Sequence, residues 1–310
     1  MNTPEKISHL ALLAKGFLLG AGLVCAVLLL AHSRTASAQQ AANAAQAPAN
    51  GQAAGAAPTQ GQGRGRGGRG GGFHEPDPLN FDDHNGYTQI FDGKTLKGWD
   101  GDPAVWHVED GSIIGLSTVE HPAHSFITYK GLTAKDQDIK LEIKVEQGGG
   151  SGIQYRSKTG AWPGRPGNAQ NPTATNPDWL MTGPQADFWF PVRPQAEVYN
   201  GQFYTENSPL GIVAWRGEMV EMASGMPPQL VGNIADRRSL GGYVKTNDWN
   251  QYMIIARGGT FVHIINGQVM AVLVDDDASD VNNQPGIIGI EIESAPSKVS
   301  VRNVWVKKLN

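Results

Sequence analysis

The clearest pattern along the chain is alternation. From Asp138 to Glu146, Ile139, Leu141, Ile143 and Val145 alternate with Lys140, Glu142, Lys144 and Glu146, the period of two of a strand with one packed and one wet face. Gly148, Gly149 and Gly150 follow, and the chain resumes as Ile153, Gln154, Tyr155 and Arg156. This stretch predicts a glycine-turned hairpin whose return strand sets Ile153 and Tyr155 on one face and Gln154 and Arg156 on the other. Asp110-Gly111, between apolar runs, and Asn266-Gly267, between TFVHII and QVMAVLV, are two further hairpin signals, because these dipeptides suit the positive φ of a tight turn. SFITYK, QADFWF, AEVYNGQFY, GIVAWRGEMVEM, DWNQYMIIARGG, GIIGIEIES and KVSVRNVWVKKL read as more short strands separated by turns. No 3.6-residue period is sustained after the N-terminal apolar run. The expectation is a single all-β sandwich or barrel over residues 73–310.

The N-terminal part has a different character. Lys6 and Lys15 precede the apolar run Gly16 to Ala31, which is followed by Ala36-Ser37-Ala38. That is the layout of a secretory signal, so residues 1–38 are expected to be removed and the product exported to the periplasm or outside the cell. The apolar run is slightly short for a bilayer span, and no stable membrane span is expected after cleavage. Residues 39–72 are rich in Ala, Gln, Gly and Arg and read as a flexible tether with little to bury. The only cysteine, Cys25, lies inside the signal. The mature chain therefore has neither a disulfide nor a thiolate to work with. A formal net charge of −4 argues against a nucleic-acid partner.

In their order, FDGKTLKGW, WHVEDGSIIG, GGGSGIQYRS, GPQAD, GIVAWRGE, DWNQYMIIARG, HIING, GIIGIEIES and VRNVWVKKL resemble the 3-keto-disaccharide hydrolase family, formerly the domain of unknown function 1080. The resemblance runs from about Tyr87 to Leu309. It implies a concanavalin A-like jelly-roll β-sandwich of two antiparallel sheets, a carbohydrate substrate, and cleavage of glycosides whose sugar has been oxidised to a 3-ketone. Two departures stand out. Leu210 precedes Gly211 where the subgroup with this motif carries arginine, and the segment from Asp187 to Tyr204 is expanded, with Pro191 and Pro194 inside it.

A 3-ketone acidifies the proton on C2. A base can remove that proton, the enolate expels the group on C1, and water adds back; the protein must supply a base, a donor or metal for the enolate oxygen and an acid for the leaving oxygen. Gln154 with Arg156, Gln185 with Asp187, and Glu291 with Glu293 are spaced by two, so each pair is expected to leave one sheet face. Asp187 and Glu291 are the candidate bases, Arg156 or His263 the candidate enolate stabilisers, and Gln154, Gln185 and Glu293 the candidate hydroxyl ligands. Tyr199, Tyr204, Glu206, Trp215, Arg216 and Glu218 are candidates for a sugar-binding rim, as are Trp162, Trp179 and Trp189; packing is the competing role for the aromatics. His121 and His124 sit in a loop with Pro122 between them. The one cofactor to consider is a divalent cation such as calcium on carboxylates. Asp275 to Asp277 is the run that would supply them, unless it is an ordinary solvated turn.

Two other functions use the same residues. A non-catalytic carbohydrate-binding module needs only the fold and an aromatic rim. A retaining glucanase needs two carboxylates about 5 Å apart, and the E-x-D-x-x-E strand signature that places them is absent.

Overall fold

The computed structural model describes residues 79–121, 123–160, 179–190 and 196–309. The signal, the tether, most of the 159–183 insert with Trp162, and Pro191 and Pro194 lie outside these residues.

Two sheets face each other across one apolar layer. The smaller runs, from edge to edge, β10 (Gly211–Ala214), β9 (Phe203–Glu206), β8 (Met181–Trp189), β7 (Gly150–Thr159), β16 (Gly286–Ile292), β5 (Ser125–Ala134) and β2 (Trp99–Asp100). The larger runs β12 (Gln229–Asn233), β11 (Glu218–Met222), β15 (Gln268–Asp275), β14 (Thr260–Ile265), β13 (Asn250–Arg257), β6 (Gln137–Glu146), β17 (Ser297–Lys308), β4 (Ser112–Ser117) and β3 (Trp106–Glu109), with β1 (Thr88–Gln89) also pairing with β17. Pairing is antiparallel except between β11 and β15. This is the jelly-roll sandwich expected from the motifs. One short helix, α1 (Arg237–Gly241), is capped by the Asp236 carboxylate, which accepts from the backbone N–H groups of Arg238 and Ser239.

The layer between the sheets follows the alternation in the sequence. Ile139, Leu141, Ile143 and Val145 of β6 and Ile153 and Tyr155 of β7 are all buried in it. Asp110-Gly111 and Asn266-Gly267 do turn hairpins: Glu109 pairs with Ser112 and Ile265 with Gln268, and all four turn residues have positive φ. The glycine-rich stretch after Glu146 is not a hairpin. β6 pairs with β13 and β17, whereas β7 pairs with β8 and β16 in the opposite sheet. Residues 147–149 thus carry the chain across the sandwich. Alternation reports which residues face the core, and it is the same for a hairpin as for an arch between sheets.

Candidate active site

The outer face of the smaller sheet gathers the polar residues. Gln154, Gln185, Asp187, Tyr204, Glu206 and Glu291 alternate along their strands with Ile153, Ala186, Phe203 and Ile290 of the core, so they leave the opposite face. Register brings them together: Gln154 lies opposite Gln185, Gly152 opposite Asp187, and Tyr204 opposite Gln185. Glu293 joins this face through its bridge to Gly150. Two of the three spaced pairs, Gln185 with Asp187 and Glu291 with Glu293, therefore share a surface as expected.

Glu291 is at the centre. Its Oε1 accepts from His124 Nε2 at 2.8 Å, and its Oε2 accepts from Gln185 Nε2. Gln185 reaches Glu291 by lying across Gly152, where an added Cβ would stand 2.1 Å from its Nε2. Trp189 lies across Gly150 in the same way, with ring atoms 2.7 Å from the position of a Cβ. Gly150, which the sequence assigns to a turn, and Gly152 beyond it thus form a flat floor under two side chains. Glu206 completes the group: one ligand atom each from His124, Glu206 and Glu291 lie within 4.8 Å of one another. Asp187 Oδ2 accepts from Gln202 Nε2 at 2.5 Å.

These groups are nearly dry. Only 15% of the His124 side chain and 3% of the Glu291 side chain are exposed, and Phe126 packs beside His124 at 5.7 Å. Burial opposes charge on His124, but the hydrogen bond and attraction of Glu291, with Glu206 and Glu293, outweigh it and raise the imidazole to about 9. Glu206 is raised to about 8, mainly by burial and then by Glu291, with His124 opposing. Burial pushes Asp187 well above the usual carboxylate range; Glu291, Glu206 and Glu293 add to this and the Gln202 bond opposes it. The site therefore sets an imidazole whose cationic form is favoured beside two carboxyl groups that burial and one another's charge push toward the neutral form.

Other expected site residues lie elsewhere. Arg156 does not share a face with Gln154. The β7–β8 register shifts between Gln154 and Lys158, Arg156 has φ +51°, and its guanidinium turns to Phe261, 4.7 Å away. There it donates to Lys135 O, Gly258 O and Asn283 Oδ1 and pairs with Asp136 at 3.0 Å. It ties β7 to neighbouring loops. His263 is 1% exposed in the layer between the sheets and accepts from Tyr155 Oη at 2.7 Å through Nε2, with its ring on Phe203 at 5.4 Å. Burial lowers its pKa to about 4 and keeps it neutral, so it is not the expected enolate ligand. Arg216 is buried, with Nε donating to Arg237 O at 2.8 Å, so it is no rim contact. Glu218 braces the rim instead, accepting from Trp215 N at 2.9 Å and pairing with Arg237 at 2.9 Å.

The half-buried Trp189, Tyr199 and Trp215 form a row, with ring centroids 5.5 Å and 5.8 Å apart, and Arg237 stands 4.6 Å from the Trp215 ring. Trp179, also half-buried, precedes β8. Leu210, where the resemblance leads one to expect arginine, packs against the core. Glu206 lies at the centre of the site and not at its rim. His124 is the residue the sequence reading passed over. Its signal was there, because His124 precedes Phe126 by two and so leads onto the outer face of β5.

Among the described residues, His124, Glu206 and Glu291 are the group that could hold a metal. One imidazole nitrogen with two carboxylate oxygens suits a borderline transition metal better than calcium, which takes six to eight oxygen ligands. The Asp275–Asp277 run is not simply a solvated turn: Asp275 ends β15 and is buried, its Oδ1 accepts from Asp277 N, and Asp277 Oδ1 accepts from Ser279 N, both at 2.9 Å.

Comparison with known proteins agrees with the motifs. A stretch of 89 residues is 36% identical to the 3-keto-disaccharide hydrolase of Bacteroides thetaiotaomicron, covering 24% of this chain and 28% of that protein. A proposed glycosyl hydrolase from Parabacteroides distasonis is 18% identical, with a TM-score of 0.44 over 76% of this chain and 100% of its own. A carbohydrate-binding module from Bacillus subtilis is 14% identical, with a TM-score of 0.41 over 68% of this chain and 96% of its own. The model of the 3-keto-alpha-glucoside-1,2-lyase-like domain matches residues 86–307. This chain belongs to that family.

Proposed function

We propose that the chain is an exported enzyme that cleaves 3-keto-glycosides by elimination and hydration. The observation that carries this reading is the convergence of Glu291, His124, Gln185, Glu206 and Asp187 on one sheet face. Glu291, aligned by His124 and Gln185, takes the proton from C2. Asp187, neutral in its dry site, donates a hydrogen bond to the oxygen on C3 as it becomes an enolate. The C1–O bond then breaks, and Glu206 gives its proton to the leaving oxygen. The C1=C2 enone that remains adds water at C1, with Glu206 accepting a proton from the water and Glu291 returning one to C2. Net hydrolysis results and each group is restored. Gln154, Tyr204 and Glu293 surround the sugar, and the row of Trp189, Tyr199 and Trp215 offers it ring faces.

A binding module has no use for this arrangement. Burying three carboxyl groups and an imidazole is costly, whereas a lectin-like site is served by exposed rings and amides. The spacing within 4.8 Å also favours a second reading, in which His124, Glu206 and Glu291 hold a divalent cation that polarises the C3 carbonyl when bound. The test is release of aglycone from a 3-keto-glucoside and from its unoxidised parent, each with and without chelator. Release from the keto form alone supports the eliminative reading, and its loss on chelation supports the cation. Release from neither form overturns both.

A further inference from the structure

A polar path crosses the apolar layer and ends on Asp187. It starts at Tyr155, which is 0% exposed, on β7. The Tyr155 hydroxyl donates to His263 Nε2 at 2.7 Å, so the imidazole proton is on Nδ1, and Nδ1 donates to Gln202 O at 3.1 Å. Gln202 Nε2 then donates to Asp187 Oδ2. The backbone closes the arrangement: Gly201 N donates to Asp187 O at 2.9 Å, and Tyr252 Oη donates to the same oxygen at 3.2 Å. His263 and Tyr252 belong to the larger sheet, so both sheets grip the Gly201–Gln202 segment and Asp187. Apolar side chains would fill this layer without the cost of burying a phenol and an imidazole among Phe203, Phe261 and Tyr252.

We propose that Tyr155, His263 and Gln202 are positioning residues that fix the Asp187 carboxyl. With Oδ2 committed as an acceptor from Gln202, the acid proton is left to Oδ1, from which it can be offered to the substrate. His263 never touches substrate; it acts by holding the Gln202 backbone in register with β8. The inference rests on the reading that Asp187 donates to the sugar oxygen, and its test separates the two.

Two measurements suffice. Kinetics on a 3-keto-glucoside are compared for His263→Gln, Asp187→Asn and the double variant, with Tyr155→Phe as the milder change should His263→Gln fold poorly. The expected result is that His263→Gln lowers kcat about tenfold with KM within about twofold, and costs almost nothing further once Asp187 is Asn. An equal factor in both backgrounds would mean a merely structural histidine and overturns the inference. The second measurement needs no substrate: the infrared carbonyl stretch of the protonated Asp187 carboxyl, identified by its loss in Asp187→Asn, is expected to shift in His263→Gln or Tyr155→Phe. An unmoved band overturns the inference. A shifted band with wild-type kcat in Asp187→Asn keeps the coupling to the carboxyl and overturns its catalytic use.

Discussion

Replacing Gly152 with Ala probes the centre of the site without touching a polar group. The three atoms nearest to the added Cβ are all from the Gln185 side chain: Nε2 at 2.1 Å, and Cδ and Cγ at 2.5 Å. Carbon and nitrogen in contact sit roughly 3.5 Å apart, so the amide must retreat by more than an ångström. Gly152 is not among the positive-φ glycines, so the backbone itself accepts alanine. The retreat breaks the bond from Gln185 to Glu291, a hydrogen bond to a carboxylate worth about 1.5–3 kcal/mol. We expect Gly152→Ala to cost about 2 kcal/mol in denaturant unfolding and to lower kcat/KM about 10- to 100-fold. In Gln185→Ala the obstructing atoms are gone, and adding Gly152→Ala should then change stability by no more than about 0.5 kcal/mol. A full double-mutant cycle by urea unfolding and steady-state kinetics measures this coupling. Equal costs of Gly152→Ala in both backgrounds would refute the idea that the glycine serves Gln185.

Further outcomes follow from the same geometry. Glu206→Gln, which resembles the neutral carboxyl, should unfold at nearly the wild-type urea concentration yet lose about 100-fold or more in turnover of a 3-keto-glucoside with a poor leaving group; a fully active variant removes Glu206 from the mechanism. His263 binds a proton near pH 4 when folded, mainly because of burial, and near 6.5 when free. The unfolded chain therefore gains the proton first, so stability should fall by about 3 kcal/mol as pH drops from 6.5 to 4, with no contribution above 6.5. Urea unfolding across that window should show a flatter slope in His263→Gln. If the cation reading holds, Mn²⁺ or Zn²⁺ should raise the melting temperature of the chelator-treated protein, and His124→Ala should abolish the rise. Trp215→Ala should raise KM for a disaccharide more than for a methyl glycoside, and equal changes would detach the aromatic row from substrate.

Much of the fold was legible because strand alternation is a local property. Ile139 to Val145 and Ile153 to Tyr155 announce their buried faces residue by residue, and the pairs Gln185 with Asp187 and Glu291 with Glu293 announce a shared polar face. Turn chemistry is local too, so Asp110-Gly111 and Asn266-Gly267 were read correctly as hairpins. What the sequence alone determined was thus the all-β class, the core faces and most of the polar residues of the site.

The tertiary structure decided which strands are neighbours, and with that which polar residues meet. β6 and β7 are adjacent in sequence and lie in opposite sheets, because pairing is a long-range choice that a period of two does not encode. The bulge that turns Arg156 away from Gln154 arises where β7 slips against β8 and β16. His124 meets Glu291 across 167 positions of chain, and His263 reaches Gln202 from the other sheet. The proton affinities were decided there as well: the upward shifts of Glu206 and Asp187 and the downward shift of His263 come mainly from the water that the assembled layers exclude, a quantity that exists only once the chain has folded.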